Sequence, residues 1–289
     1  MNAEIVPVRP EIITIEKPIE AKVSLIIENI NFKEKELVGL VEQLSPGHRF
    51  GQKKMEHALK MTDESIVIAE NFGMNQRDSQ LLKLTFRAHD IGRSLSVVRN
   101  QVNDQGKHGE WAVQWLNDNK ILNDLNDEEI KIVEFAIKYH STKEVPEVDK
   151  NDNVMKKAYD FCYILRDHDK VEVLEKTEFT DDLETITRIK DMYGLSDETK
   201  AGDEIIELFF NQKNIDNKLM KTYGDFILLH LSYMFDIKKQ GTKNYLKNNK
   251  IDGIDSRIAY ITKNQPEILL QVEKVIDEVL DNKGDLKFE

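Results

Sequence analysis

Cysteine is almost absent from this chain. Its 289 residues include one, Cys162, so no disulfide can close within the chain, and the usage fits a reducing compartment. Cys162 sits in an apolar run with Tyr159, Phe161, Tyr163 and Leu165, and reads as a packed thiol rather than a nucleophile. Long apolar runs are missing too. No stretch of about 18 apolar residues occurs, so no membrane span is expected. The N-terminus lacks a basic segment followed by an apolar one, so no secretory signal is expected and the cytoplasm is the expected location. Positive charge is in deficit: 41 Lys plus Arg stand against 53 Asp plus Glu, a net charge of −12. Such a surface repels polyphosphate backbones at long range, so polymeric nucleic acid is not an expected partner. A small phosphorylated substrate remains compatible, because a metal and a few local cations can reverse the field inside a cleft.

Proline is sparse, six residues in all, and three of them (Pro7, Pro10 and Pro18) fall in the first 45 positions. Around them lie the β-branched stretches Ile12-Ile13-Thr14-Ile15 and Val23-Ser24-Leu25-Ile26-Ile27, which suggest short strands or an extended arm. Residues 34–44 can form a lead-in helix, and Ser45-Pro46-Gly47 breaks the chain. From Gln52 onward the pattern is helical almost throughout. Expected helices run over 52–72, from a cap at Asn75 to about Ile91, from about Lys107 to Asn119, from Asn126 to His140, and from about Asp152 to Glu175. The polar stretch 94–106 reads as a loop. Beyond 180 further helices follow, one over about 219–237 and a last one from Gln265-Pro266 to near Gly284. The expected fold is all-α: an N-terminal strand-like appendage (1–45), a helical core (46–179) and a C-terminal helical extension (180–289).

The chemistry concentrates in Phe86-Arg87-Ala88-His89-Asp90-Ile91-Gly92-Arg93. His57 precedes this segment; His108, His140 and Asp169 follow it. Helical spacing turns each toward an apolar face. His57 lines up with Met61, Ile68 and Phe72, and His89 with Leu82 and Phe86. His108 lines up with Ala112 and Trp115, His140 with Val133 and Ala136, and Asp169 with Ala158, Cys162 and Leu165. An unpaired buried charge is expensive, whereas a metal turns that cost into coordination energy. Imidazole and carboxylate together suit Mn, Fe, Co, Ni or Zn, and Mg less well. Trp111 and Trp115 beside His108 leave open that this histidine merely packs. His48 reads as a loop residue and His230 as a core histidine on an apolar helix.

The order His57, His89-Asp90, His108, His140, Asp169 resembles the HD superfamily of metal-dependent phosphohydrolases, over about Lys54 to Leu174. The resemblance implies a helical metal-binding core in which His57, His89, Asp90 and Asp169 hold one metal. Members with two further histidines resemble the binuclear branch, so His108 and His140 imply two metals per chain, with Asp90 bridging. The family's last aspartate precedes a Lys or Arg. This selects Asp169 of His168-Asp169-Lys170, leaving His168 off the inward face and Asp167 to orient a ligand or to pair at the surface. Arg93 and Lys170 fall where the family often carries cations that could bind phosphate oxygens; Lys107 reads as solvated. With Tyr139-His140-Ser141-Thr142 and no Gly-Tyr-Pro, the sequence departs from the cyclic-dinucleotide branch. With Arg93-Ser94-Leu95 after the pair, it departs from the guanosine tetraphosphate hydrolases. The implied activity is hydrolysis of a phosphomonoester or phosphoanhydride, of a nucleotide, with Asp90, Arg93 and Lys170 as the acting side chains. A dinucleotide phosphodiesterase and a non-catalytic nucleotide-sensing module are the alternatives. A homo-oligomer is left open.

Overall fold

The computed structural model describes residues 18–44, 50–99, 106–149 and 151–281. Among them there is no β-strand, only an isolated bridge between Ser196 and Thr222. The expected strand at 12–15 and the loop histidine His48 lie outside the described residues. The expected strand at 23–27 does not form; a 26-residue helix, α1 (Ile19–Leu44), runs through it. Its buried residues Val23, Ile26, Ile30, Glu34, Leu37 and Val41 recur every three or four positions. That spacing makes one inward stripe, and its burial overrides the β-propensity of the isoleucines and valines.

The next helices are α2 (Phe50–Asn71), α3 (Gln76–Ala88), α4 (Ile91–Val98), α5 (His108–Asp118), α6 (Asp127–Tyr139) and α7 (Asn153–Glu175). Local chemistry sets their starts. The Asn75 side chain accepts from the Asp78 amide at the head of α3. Asn126 and Glu129 form a reciprocal capping box on α6, and Asp152 accepts from the Val154 and Met155 amides on α7. The expected loop over 94–106 is helical as far as Val98. Ser96 Oγ donates to the Arg93 carbonyl at 2.7 Å. Ile91, Leu95 and Val98 give the segment an apolar face, against which its serines and arginine had weighed.

The C-terminal helices are α8 (Glu178–Asp181), α9 (Leu183–Tyr193), α10 (Asp203–Phe210), α11 (Tyr223–Ser232), α12 (Gln240–Asn248), α13 (Asp252–Asn264) and α14 (Leu269–Asp281). The single helix expected over 219–237 is shorter. Thr222 and Asp225 form a capping box that starts α11 at Tyr223, and 3-10 turns flank it at 217–219 and 233–236. Two apolar cores result. The first gathers residues of α1 to α6 and α7 up to Leu165; the second begins at Val171 of the same helix and takes in α9 to α14. The helix α7 therefore belongs to both, and its stretch around Asp169 falls between them. Arg257 of α13, fully buried, donates to the Val173, Leu174 and Lys176 carbonyls and so closes the C-terminal end of α7. No helix among the described residues is long and apolar enough to cross a membrane.

Candidate metal centre

Six helices, α2 to α7, bring side chains or connecting turns to one point between the cores. His57 comes from α2 and Asp169 from α7. His89 and Asp90 form the two-residue turn between α3 and α4, His108 opens α5, and His140 follows α6. Two glycines permit the convergence. A Cβ on Gly92 would overlap the His108 carbonyl, and one on Gly109 would overlap the Ile137 and Lys138 carbonyls. Backbone-to-backbone approach at these two points sets His108 against Asp90 and His140.

The donor atoms are close. His57 Nε2 lies 3.2 Å from His89 Nε2 and 3.1 Å from Asp169 Oδ1. His108 Nε2 lies 3.1 Å from His140 Nε2. Asp90 divides its carboxylate between the two histidine pairs. Oδ1 is 3.5 Å from His108 Nε2 and 3.9 Å from His140 Nε2. Oδ2 is 3.7 Å from His89 Nε2 and 3.9 Å from His57 Nε2. Ligands bonded at about 2.0–2.2 Å to one ion stand roughly 3.0–3.6 Å apart. The His57–His89, His57–Asp169, His108–His140 and His108–Asp90 separations fall in that range, and the other three Asp90 contacts lie just beyond it. Two groups, His57 with His89 and Asp169, and His89 with Asp90 and His140, could each hold a metal ion.

Proton positions agree with that chemistry. His89 Nδ1 is 2.7 Å from the Phe86 carbonyl, and His140 Nδ1 is 2.7 Å from the Ile137 carbonyl. A carbonyl only accepts, so each Nδ1 carries the hydrogen and donates. Burial lowers the pKa of both rings, His89 to about 4, and keeps them neutral. Each Nε2 is then a lone pair aimed at space bordered by carboxylates, a donor set that fits a divalent cation. Burial works against a charge on His57, but the Asp169 carboxylate at 3.1 Å, with Glu172 and Asp90 close by, outweighs it and lifts its pKa to about 9. A metal placed there would take the proton's position. Burial would also raise Asp90, yet Lys54 and the surrounding histidines hold it well below the ordinary carboxylate range.

Some residues of the site were not singled out from the sequence. Lys54 Nζ donates to Asp90 Oδ2 at 2.8 Å. It lies one turn before His57 on α2, a spacing that could have found it. Glu172, one turn after Asp169, places Oε2 3.6 Å from His57 Nδ1 and 2.8 Å from Lys176 Nζ, and so backs His57 from behind the site. Arg166, one turn before Asp169, donates to the carbonyls of Tyr139, His140 and Thr142 and fixes the chain at His140. Asp169 is 41% exposed and marks the open side. Arg93 Nε lies 3.7 Å from Asp90 Oδ1. Lys170 is half-buried, and burial lowers its pKa against the opposing charges of Asp167 and Asp236. Lys107 is exposed.

Two expectations beside Asp169 are corrected. Asp167 neither orients a ligand nor pairs at the surface. It is buried, accepts from the Lys238 and Lys239 amides, and anchors the approach to α12. His168 is also buried, its ring between Phe86 and Tyr245 and its Nε2 3.4 Å from Thr242 Oγ1. His230 packs among Phe179, Phe226 and Tyr233 in the second core. No protein-family model, curated protein or solved structure matches the chain. What fold and site define is thus an all-helical protein with a buried His/Asp cluster able to hold metal.

Proposed function

We propose that this chain is an HD-type metal-dependent phosphohydrolase, acting on a phosphomonoester or phosphoanhydride of a nucleotide. The observation that carries the reading is the Asp90 carboxylate, set between two histidine pairs with Lys54 and Arg93 beside it. His57, His89, Asp90 and Asp169 would hold one metal; His108, His140 and Asp90 would hold a second. When bound, the metal supplies Lewis acidity and lowers the pKa of water. The chain's own residues do the rest. Lys54 and Arg93 present cations to the phosphoryl oxygens, a point charge and a fork respectively. Asp90, kept ionised, would ligate and would orient the attacking water rather than store its proton. The Phe86 and Ile137 carbonyls hold the His89 and His140 rings in the orientation coordination needs, and Glu172 faces His57 as a nearby charge. Lys170, next to Asp169 on α7, would be a third cation for the phosphoryl oxygens.

Cys162 is not a competing nucleophile, because it is buried and burial pushes its thiol up to about 12. Water is the attacking group, and the bond that breaks is phosphorus to leaving-group oxygen. The test is the purified protein loaded separately with Mn, Fe, Co, Ni, Zn or Mg, assayed against nucleotides, dinucleotides and simple phosphoesters. Metal-dependent release of phosphate from a nucleotide, lost in Asp90→Ala, is the expected result. Cleavage confined to dinucleotides would move the reading to a phosphodiesterase. Tight nucleotide binding with no turnover under any metal would move it to a sensor.

A further inference from the structure

The second core carries a cleft of its own. It has a volume of about 480 Å³ and opens between α8, α9 and α13, away from every residue of the metal centre. That volume falls within the usual range of small-ligand sites, about 300–1,000 Å³. Its walls include Ile186 and the rings of Tyr223 and Tyr260, which meet edge to face with centroids 5.9 Å apart. Tyr223 is buried, with its hydroxyl on the Phe179 carbonyl at 2.6 Å and its ring stacked on Phe226, so it forms the floor, and the half-buried Tyr260 ring is the aromatic face left for a ligand. Lys190 and Lys263 supply two cations at the lining, against one carboxylate, Asp181. Lys190 Nζ stands 5.6 Å from the centre of the Tyr223 ring. Its ion pair with Asp197, 3.1 Å, is with a fully exposed carboxylate, a kind of contact that an incoming anion displaces at little cost. Thr199 and Asn264 add polar groups, and both also border a smaller, largely apolar pit behind Tyr260.

We propose that this cleft is a second ligand site, for a small aromatic anion whose ring lies against Tyr260 and whose charge meets Lys190 and Lys263. Aromatic faces favour a flat ring. Lys263, and Lys190 once released from its exposed partner Asp197, can meet a single anionic group. The volume suits one mononucleotide or one aromatic carboxylate. The site does not depend on the metal centre, since no residue is shared.

The test is calorimetric titration of the full-length protein at low salt with a chelator present, using adenosine monophosphate and 4-hydroxybenzoate as separate probes. Adenosine and inorganic phosphate serve as half-ligands. Saturable binding of either anion, at least about tenfold tighter than its half-ligand, is the expected result, and the better probe identifies the source of the charge. Lys263→Glu, at an exposed position that leaves the fold alone, should weaken binding at least about tenfold, while Asp90→Asn should leave it unchanged. Absence of saturation by both probes at about 1 mM overturns the proposal. So does binding that is lost in Asp90→Asn and unaffected by Lys263→Glu, because the probe would then occupy the metal centre.

Discussion

Replacing Glu34 with leucine should destabilise this protein more than almost any other single change in α1. Arg87, wholly buried on α3, donates through Nη2 to Glu34 Oε2 and through Nε to Asn31 Oδ1 at 2.7 Å. Glu34 is itself 1% exposed, and burial raises its pKa even against the neighbouring guanidinium. The pair is thus a buried ion pair whose desolvation cost is offset by mutual contact. Glu34→Leu leaves a guanidinium buried without its counter-charge, a loss of about 3–5 kcal/mol. For a chain of this length each kcal/mol lowers Tm by roughly 2–4 °C, so the expected drop is about 10 °C. The double change Glu34→Leu with Arg87→Met replaces both charges by apolar groups of similar size and should recover most of that loss. Thermal melts followed by far-UV circular dichroism read both variants. A Glu34→Leu protein within about 1 kcal/mol of the parent would refute the reasoning, as would a double variant no more stable than the single one.

Three further outcomes follow from the packing. Gly92→Ala should drive α4 from the His108 carbonyl, costing about 1–3 kcal/mol and reducing metal uptake; a variant with parental metal content would contradict the close approach. Cys162 should resist thiol reagents in the native protein and react after unfolding, and rapid native labelling would contradict its burial. Removing residues 180–289 strips the partners of Val171 and Leu174 and the cap that Arg257 places on α7, so insoluble or strongly destabilised protein is expected. A soluble, fully active fragment of residues 46–179 would refute that.

The metal pattern was visible in the sequence because a histidine or aspartate on the apolar side of a helix is a chemical anomaly, and five helices repeat it. Helix starts at Asn75, Asn126 and Asp152 were visible because their caps are local. The long α1 was hidden by its isoleucines and valines, whose preference for strands is weaker than the packing of a continuous stripe. α4 was hidden by its serines, of which Ser96 donates back to the Arg93 carbonyl. The role of Asp167 could not be read at all, since its partners lie 71 and 72 residues away and no periodicity links them. Lys54 and Glu172 fall between these cases. Both lie one turn from a ligand, yet only the folded arrangement shows which of many surface charges points inward.

Diffraction at the metal's absorption edge, on crystals of the protein as purified, tests the central claim most directly. The account predicts anomalous density at about 2.0–2.2 Å from donor atoms of His57, His89, Asp90 and Asp169, and a second peak on His108, His140 and the other Asp90 oxygen. A transition metal found elsewhere, or protein that after incubation with Mn, Fe, Co, Ni or Zn shows no density within about 5 Å of Asp90, would contradict it.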